Sequence, residues 1–103
     1  IVIGAPGGTQ IAMGVLQVLL NLTDFDMSMS DAVIAPRFSG TSTPIYVSNP
    51  IPRFVTRALE AMNYEVIRWA QSYAFGWVHG IHIDDGMWSG GADPATDGMA
   101  LAV

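Results

Sequence analysis

The chain has 103 residues, of which half are apolar and only 13% are charged. A chain of this length forms at most one domain and buries only a modest share of its surface, so we treat residues 1–103 as a single domain. The four basic side chains are all arginines, and the net charge is −5. Because a nucleic-acid surface needs clustered basic residues and these are scattered, the composition excludes that class of partner.

The most apolar segment is interrupted by Gly14, Gln17 and Asn21 before it reaches the roughly 20 residues that a membrane helix needs. We therefore expect a buried helix and no membrane-spanning segment. The sequence contains no cysteine, which excludes disulfides and thiolate metal sites, and we expect no cofactor. The chain has no initiator methionine and opens on Ile1 in what reads as the middle of a strand. We expect it to be a piece of a longer protein.

The first predicted element is a strand over residues 1–3, followed by a turn that contains Gly4, Pro6, Gly7 and Gly8. A helix over about residues 9–22 comes next. Glycine lacks the Cβ that would keep a ligand away from the backbone, and the first amides of a helix have no internal partner. Such amides, aided by the helix dipole, suit a negatively charged oxygen. The sequence therefore predicts an anion site at Gly7 and Gly8, for a phosphate, a carboxylate or the oxyanion of an acyl-transfer intermediate.

The polar or small positions of this helix fall on one stripe: Gln10, Gly14, Gln17 and Asn21. Such a stripe on an otherwise apolar helix predicts that the helix lies between two layers. Farther along, Ser28 and Asp31 resemble a capping box with Asp in place of Glu. They predict the start of a short helix, which Pro36 ends.

The second half of the chain is richer in predicted strands, which are expected at residues 45–47, 65–69, 77–83 and 99–103. A helix after Pro52 has apolar residues at helical spacing from Val55 to Met62, and Asn63 is a plausible left-handed stop. Asp85 with Gly86 is a hairpin signal. This order of elements predicts a layered α+β fold.

Plainer interpretations compete for several of these motifs. Gly7 and Gly8 can serve simply as a tight strand-to-helix turn, and the absence of a Lys after them disfavours a P-loop. His79 and His82 are three residues apart in a predicted strand, so they point to opposite faces and are better interpreted as structural or surface residues than as metal ligands. Residues 84–85 are interpreted as turn residues.

Residues 90–94 are interpreted as a turn that places the final strand. The alternative is that Gly90 and Gly91 line a substrate pocket from behind.

Blocks of residues along the whole chain resemble the γ-glutamyltranspeptidase family, in the family's order and with family-like spacing. They are Gly4-Ala-Pro-Gly-Gly-Thr9, Val15-Leu-Gln-Val-Leu-Leu-Asn21, the segment from Ala32-Val33 to Ala35-Pro36-Arg37, Arg57-Ala-Leu-Glu-Ala-Met62, and Gly90-Gly-Ala-Asp-Pro94 with Asp97-Gly98. The resemblance is to the C-terminal part of the small subunit, the half that is generated when the precursor cleaves itself.

The resemblance implies an α+β fold that is part of the αββα sandwich of N-terminal-nucleophile hydrolases, with mostly antiparallel sheet and packed helices. It implies a γ-glutamyl acyltransferase or hydrolase that acts on glutathione-like amides. In the family's Pro-Gly-Gly motif the two glycine amides hold the oxyanion, and those positions are Gly7 and Gly8 here, as catalytic and substrate-binding residues. The implied partners are the remainder of the small subunit and the large subunit, and family members are often periplasmic or extracellular.

The sequence departs from the family pattern in two ways. Ala5 stands where many members have Ser, and the segment that would carry the nucleophilic Thr and the groups that grip the substrate's α-amino and α-carboxylate ends is not in this chain. A nucleophilic N-terminal Thr uses its own amine as base, whereas this chain starts with Ile1, so we nominate no nucleophile within it. We expect the isolated chain to be inactive.

Other functions remain open at this point. One is a cephalosporin or glutaryl acylase of the same superfamily. A second is a non-catalytic association module, which exposed sheet edges and an apolar face would drive to form oligomers. A third is a small module that binds phosphate at Gly7 and Gly8.

Overall fold

The computed structural model describes residues 1–70 and 72–102. The strands are β1 (Val2–Gly4), β2 (Phe38–Ser39), β3 (Ile45–Ser48), β4 (Val66–Trp69), β5 (His79–Asp84) and β6 (Met87–Ala92). The α-helices are α1 (Ile11–Thr23), α2 (Met29–Ile34) and α3 (Arg53–Ala61), and short 3₁₀ turns occur at Gly8–Gln10 and Ser72–Phe75. The mixture of helices with largely antiparallel strands is the α+β class that the sequence predicts.

The strands form two three-stranded sheets. The first sheet has the order β1-β5-β6 and is antiparallel throughout, with Ile3 opposite Gly80 and Ile81 opposite Gly90. The second sheet has the order β2-β3-β4, with β2 antiparallel and β4 parallel to β3. Helix α3 connects the parallel pair, as a parallel pair requires a crossover connection.

Helices α1 and α2 cover one face of the first sheet. The buried side chains of this core are Val18, Leu22, Met29, Ala32, Val33 and Val78, with Ile3 and Ala5 packed against them. Val18 and Leu22 are one helical turn apart on α1, which places them on the same side. Full burial of a side chain of this size is worth about 1.5–3 kcal/mol, so the cluster is the main force that holds the helices to the sheet.

The interpretation of residues 90–94 as a turn is wrong for its first residues, because β6 continues through Gly90 and Gly91 to Ala92. A Cβ on Gly91 would lie 2.7 Å from the carbonyl oxygen of Met29 and 2.9 Å from Cγ2 of Val33. Glycine at this position therefore lets α2 rest directly on the strand. Glycine inside a strand often marks such a close approach, and here tertiary packing overrides the local turn signal.

The predicted final strand is also wrong over residues 99–102, which form no strand, and residue 103 lies outside the described residues. Ala100 lies over Gly90, because its Cβ is 2.8 Å from the place that a Gly90 Cβ would occupy. The segment thus crosses the face of the first sheet instead of pairing along its edge. A strand needs a hydrogen-bonded neighbour, and the sequence of these residues does not show whether the fold provides one.

The predicted cap of α2, the stop of α3 and the hairpin turn between β5 and β6 are confirmed. The Ser28 hydroxyl accepts a hydrogen bond from the Asp31 amide at 3.1 Å and donates one to the Asp31 carboxylate at 2.8 Å. Asn63 stops α3 with a φ of 68°, and Asp85 and Gly86 form the two-residue hairpin turn between β5 and β6 with φ values of 45° and 76°. These positive φ values are those that a primed hairpin turn and a left-handed helix stop require.

The polar stripe of α1 is a contact surface. The Gln17 side-chain amide donates to the carbonyl of Phe38 at 2.8 Å and accepts from the amide of Phe38 at 2.9 Å. Asn21 donates to the carbonyl of Ala32 at 3.3 Å. Gln17 thereby holds β2, a two-residue strand that local sequence does not predict, because its hydrogen bonds come from a distant helix and from β3.

Helix α3 forms as predicted, but much of its apolar face is exposed. Val55 and Met62 of the predicted face are 36% and 66% accessible, and the buried residue of this helix is Thr56. Within residues 1–70 and 72–102, every helix falls short of the length and apolarity that a membrane crossing needs.

Candidate functional site

The turn between β1 and α1 is formed by Pro6, Gly7 and Gly8. Gly7 has a φ of 141° and Gly8 a φ of 61°, and both values lie in the half of backbone space that favours glycine. Gly7 caps the 3₁₀ turn Gly8–Gln10, and its carbonyl accepts a hydrogen bond from the Gln10 amide at 3.2 Å. This 3₁₀ turn leads directly into α1, so the turn lies at the start of a continuous helical segment.

The amides of Gly7 and Gly8 are the groups that the sequence singles out. Neither amide donates to a backbone carbonyl in the part of the chain that the structure describes. Both residues are exposed. Amides of this kind, at the start of a helical segment, are available as donors to a negatively charged oxygen without the loss of a backbone hydrogen bond of the fold.

The segment of residues 75–77 supports this turn from behind. The Trp77 amide donates to the Pro6 carbonyl at 3.3 Å. A Cβ on Gly7 would lie 3.0 Å from the Cα of Gly76, and a Cβ on Gly76 would lie 3.3 Å from the carbonyl oxygen of Gln10. The two segments therefore pack backbone against backbone, and a side chain on Gly7 would push them apart.

A buried ion pair holds the supporting segment. Nη1 of Arg37 donates to the Gly76 carbonyl at 2.6 Å, while Nη2 donates to the Val33 carbonyl and to Oδ2 of Asp93, the latter at 2.8 Å. Arg37 is 6% accessible and Asp93 is 4% accessible. A buried guanidinium needs a counter-charge and hydrogen-bond acceptors. Asp93 and the two carbonyls supply these to Nη1 and Nη2, while Nε has no partner among the described residues.

Asp93 also begins the turn that the sequence predicts after β6. Its Oδ1 accepts from the Ala95 amide at 2.9 Å, and its carbonyl accepts from the Thr96 amide at 3.0 Å. Sequence reasoning assigned this block to turn formation and missed the ion pair with Arg37. The available signal was that Arg37 and Asp93 each lie in a block of the family resemblance in a chain that is only 13% charged.

The other candidate residues lie elsewhere. An open groove of about 1260 Å³ follows the face of the first sheet that is turned away from the helices, and His79, Gly90 and Gly91 are among its lining residues. Gly7 and Gly8 do not border it. Among the described residues, no three His, Cys, Asp or Glu side chains come together in a way that could hold a metal ion.

Comparison with known proteins identifies similar sequences over the whole length of the chain. The family model for gamma-glutamyltranspeptidase matches residues 1–103. The Acylase ACY 1 proenzyme of Pseudomonas sp. (strain SE83) is 32% identical over 102 residues, which are 98% of this chain and 18% of that protein. The Glutathione hydrolase proenzyme of Pseudomonas aeruginosa is 32% identical over 108 residues, which cover 100% of this chain and 19% of that protein.

A solved structure gives the same fold. The gamma-glutamyltranspeptidase from Pseudomonas nitroreducens, complexed with L-DON, superposes with a TM-score of 0.85 at 27% identity and covers 98% of this chain. The chain spans 54% of the length of that solved chain, and it spans 18% and 19% of the two curated relatives.

Proposed function

Because the chain belongs to the γ-glutamyltranspeptidase family, we propose that it is the C-terminal part of the small subunit of a γ-glutamyl acyltransferase or hydrolase. Its fold is that of the N-terminal-nucleophile hydrolases of this family. Its contribution to the reaction is the turn at Gly7 and Gly8. The substrates are glutathione-like compounds, in which a γ-glutamyl group is joined to an amine through an amide bond.

The two exposed and unpaired amides of Gly7 and Gly8 are the observation that carries this proposal. When the hydroxyl of a nucleophilic Thr, contributed from outside these residues, adds to the γ-carbonyl carbon, the carbonyl oxygen becomes an anion. The amides of Gly7 and Gly8 donate to that oxygen. Each donor of this kind is worth about 3–4 kcal/mol of transition-state stabilisation.

The rigidity of the turn adds to this effect. Since Gly76 and Trp77 already hold Pro6 and Gly7, the amides need no reorganisation as charge develops on the substrate oxygen. Donors that are fixed before the reaction stabilise the transition state more than donors that must first be oriented.

The remainder of the small subunit and the large subunit are the partners in this proposal. The chain measures 48 × 25 × 19 Å and has a radius of gyration of 14.3 Å. A compact chain of about 100 residues has a radius of gyration of about 13 Å, so this chain is elongated. On the face of the first sheet away from the helices, Val2 and Trp88 are 68% and 71% accessible. An apolar face of this kind is a surface that other parts of an enzyme cover.

The first test is the activity of a complete protein that contains the chain. We expect it to release p-nitroaniline from γ-glutamyl-p-nitroanilide, whereas the isolated 103-residue chain releases none because it lacks the nucleophile. Turnover by the isolated chain would contradict the proposal that the nucleophile comes from outside these residues. The absence of turnover by the complete, processed protein would contradict the proposed reaction.

A cephalosporin or glutaryl acylase is the second candidate, which the similarity to an acylase proenzyme favours. Such an enzyme would use the same turn with a different acyl pocket. The kcat/KM of the complete protein for γ-glutamyl-p-nitroanilide, compared with that for glutaryl-p-nitroanilide, distinguishes the two. The two substrates differ only in the α-amino group, which the glutaryl compound lacks, so a preference for the γ-glutamyl compound supports the first candidate.

A non-catalytic association module is the third candidate, and the exposed apolar face of the first sheet favours it. It predicts that the complete protein forms stable assemblies but hydrolyses neither substrate.

A further inference from the structure

We propose that Arg37 is a positioning residue for the oxyanion turn, because it fixes Gly76 against Gly7 and so sets the direction in which the Gly7 and Gly8 amides point. This role rests on the function proposed above for the turn. Arg37 does not touch the anion in this proposal. It acts through one backbone carbonyl and the packing of one glycine against another.

The path from the guanidinium to the turn is short. Nη1 of Arg37 donates to the Gly76 carbonyl at 2.6 Å. The Cα of Gly76 lies so close to Gly7 that a Cβ there would be 3.0 Å away, and the next amide, that of Trp77, donates to the Pro6 carbonyl at 3.3 Å. A displacement of Gly76 therefore displaces Gly7 directly, because the two residues pack backbone against backbone with no side chain between them.

Only arginine can make this set of contacts. The planar fork of the guanidinium reaches three acceptors on three separate segments: the Val33 carbonyl in α2, the Gly76 carbonyl behind the turn, and the Asp93 carboxylate at the end of β6. A lysine ammonium is a compact point charge and cannot present donors in a rigid fork. The geometry thus ties the position of Gly76 to both α2 and the first sheet.

A contribution to folding stability alone does not explain well why Arg37 and Asp93 form a buried ion pair. Taking two charges out of water is costly, and replacement of a buried ion pair by apolar residues of similar volume is often neutral or stabilising. Substitution of both residues together avoids the cost of one unpaired buried charge. The double variant Arg37→Met/Asp93→Asn removes the donor to Gly76, leaves no buried charge without a partner, and keeps an Oδ1 that can accept from the Ala95 amide.

The experiment uses the complete, processed enzyme and compares this double variant with the wild type. If Arg37 positions the amides, kcat falls by at least about tenfold while KM changes by less than about threefold, because an interaction used only in the transition state is lost. Deuterium uptake at the Gln10 and Trp77 amides, whose hydrogen bonds to the Gly7 and Pro6 carbonyls hold the turn, should increase at the same time when it is followed by mass spectrometry. An unchanged kcat in a folded double variant overturns the proposal.

Two further variants separate positioning from charge and from general stability. Arg37→Lys keeps a counter-charge for Asp93 but cannot also hold Gly76, so its kcat should be lower than that of the wild type. A kcat equal to that of the wild type overturns the proposal. Arg68→Met is the matched control, because Arg68 also donates to backbone carbonyls, those of Asn49 and Ile51, each at 2.7 Å. It should lower the melting temperature without lowering kcat.

The two proposals fail in different ways. If the wild-type enzyme turns over neither the γ-glutamyl nor the glutaryl substrate, the proposed function fails. Deuterium uptake still tests the role of Arg37 in that case, and in any variant that is not processed. Uptake at the Gln10 and Trp77 amides that is equal in the wild type and the double variant would then overturn the role proposed for Arg37.

Discussion

The two glycines of the turn differ in how much of a side chain they could accept. Gly7 has a φ of 141° and lies against Gly76, whereas Gly8 has a φ of 61° and has open space where a Cβ would be. The conformation of Gly8 costs an ordinary residue about 1–2 kcal/mol, but that of Gly7 is strained and sterically blocked as well. Gly7 is therefore the position that tolerates a side chain less well.

Alanine substitutions of the two glycines in the complete enzyme should have unequal effects. Gly8→Ala keeps its amide in place and should lower kcat by about tenfold or less, in line with the modest cost of its conformation. Gly7→Ala forces the turn away from Gly76, and we expect a loss of at least about 100-fold, as misplacement of catalytic groups by about 1 Å can cause. Steady-state kinetics on γ-glutamyl-p-nitroanilide measures both, and equal losses would contradict the described packing.

The turn at Pro6, Gly7 and Gly8 could be predicted from the sequence because it depends on adjacent residues. Glycine after proline, followed by a helix, specifies exposed amides through local backbone chemistry alone. The pair of Arg37 and Asp93 could not be predicted in the same way, since its members are 56 residues apart and meet only after α2 and β6 have packed. The hydrogen bond from Arg37 to the Gly76 carbonyl likewise depends on the tertiary fold, because the two residues are 39 positions apart.

Among the helices and strands, the contact between α2 and β6 shows how packing overrides local signals. The two consecutive glycines Gly90 and Gly91 predict a turn, yet both lie inside a strand. Met29 and Val33 of α2 come too close to Gly91 for a side chain there. By contrast, the hairpin at Asp85 and the stop at Asn63 were predicted correctly, because each depends on a backbone conformation that its own residue favours. Strand β2 and the course of residues 99–102 depend on distant partners, which the sequence does not name.

Substitution of Gly91 by alanine tests this packing. A Cβ 2.7 Å from the Met29 carbonyl oxygen must displace α2 from the sheet. We expect the free energy of unfolding to fall by about 1–3 kcal/mol, the usual cost of overpacking. Gly40→Ala is the control, because a Cβ there meets nothing within 4 Å. Chemical denaturation measures both variants, and a Gly91→Ala protein as stable as the control would disprove the close approach.

The whole chain exposes an apolar surface on the side of the first sheet away from the helices. Val2, Ile81, Ile83 and Trp88 share this face by their register across β1, β5 and β6, and each is at least 42% accessible. Residues 99–102 cross this face at Gly90 but leave these four side chains exposed, and the chain is elongated, at 48 × 25 × 19 Å. The layered fold could be predicted from the order of elements, but not which face is left uncovered.

We expect the isolated 103-residue chain to self-associate through this face. Light scattering at increasing concentration should show dimers or larger species, and Trp88→Gln should shift the population toward monomer. Phe54→Gln is the matched control, because Phe54 on α3 is equally exposed, at 72% against 71% for Trp88, but does not belong to this face. A strictly monomeric wild-type chain at high concentration would contradict the expectation, and so would an equal effect of the two substitutions.

The most direct measurement is a crystal structure of the complete enzyme with a γ-glutamyl-like boronic acid. Addition of the nucleophile's hydroxyl makes the boron tetrahedral and anionic, so the bound compound imitates the intermediate of acyl transfer. We predict that one boronate oxygen lies about 2.7–3.1 Å from the backbone nitrogens of both Gly7 and Gly8, the distance at which oxyanion donors act. A boronate whose oxygens are held by other groups, with both glycine nitrogens beyond hydrogen-bond distance, would contradict the central claim.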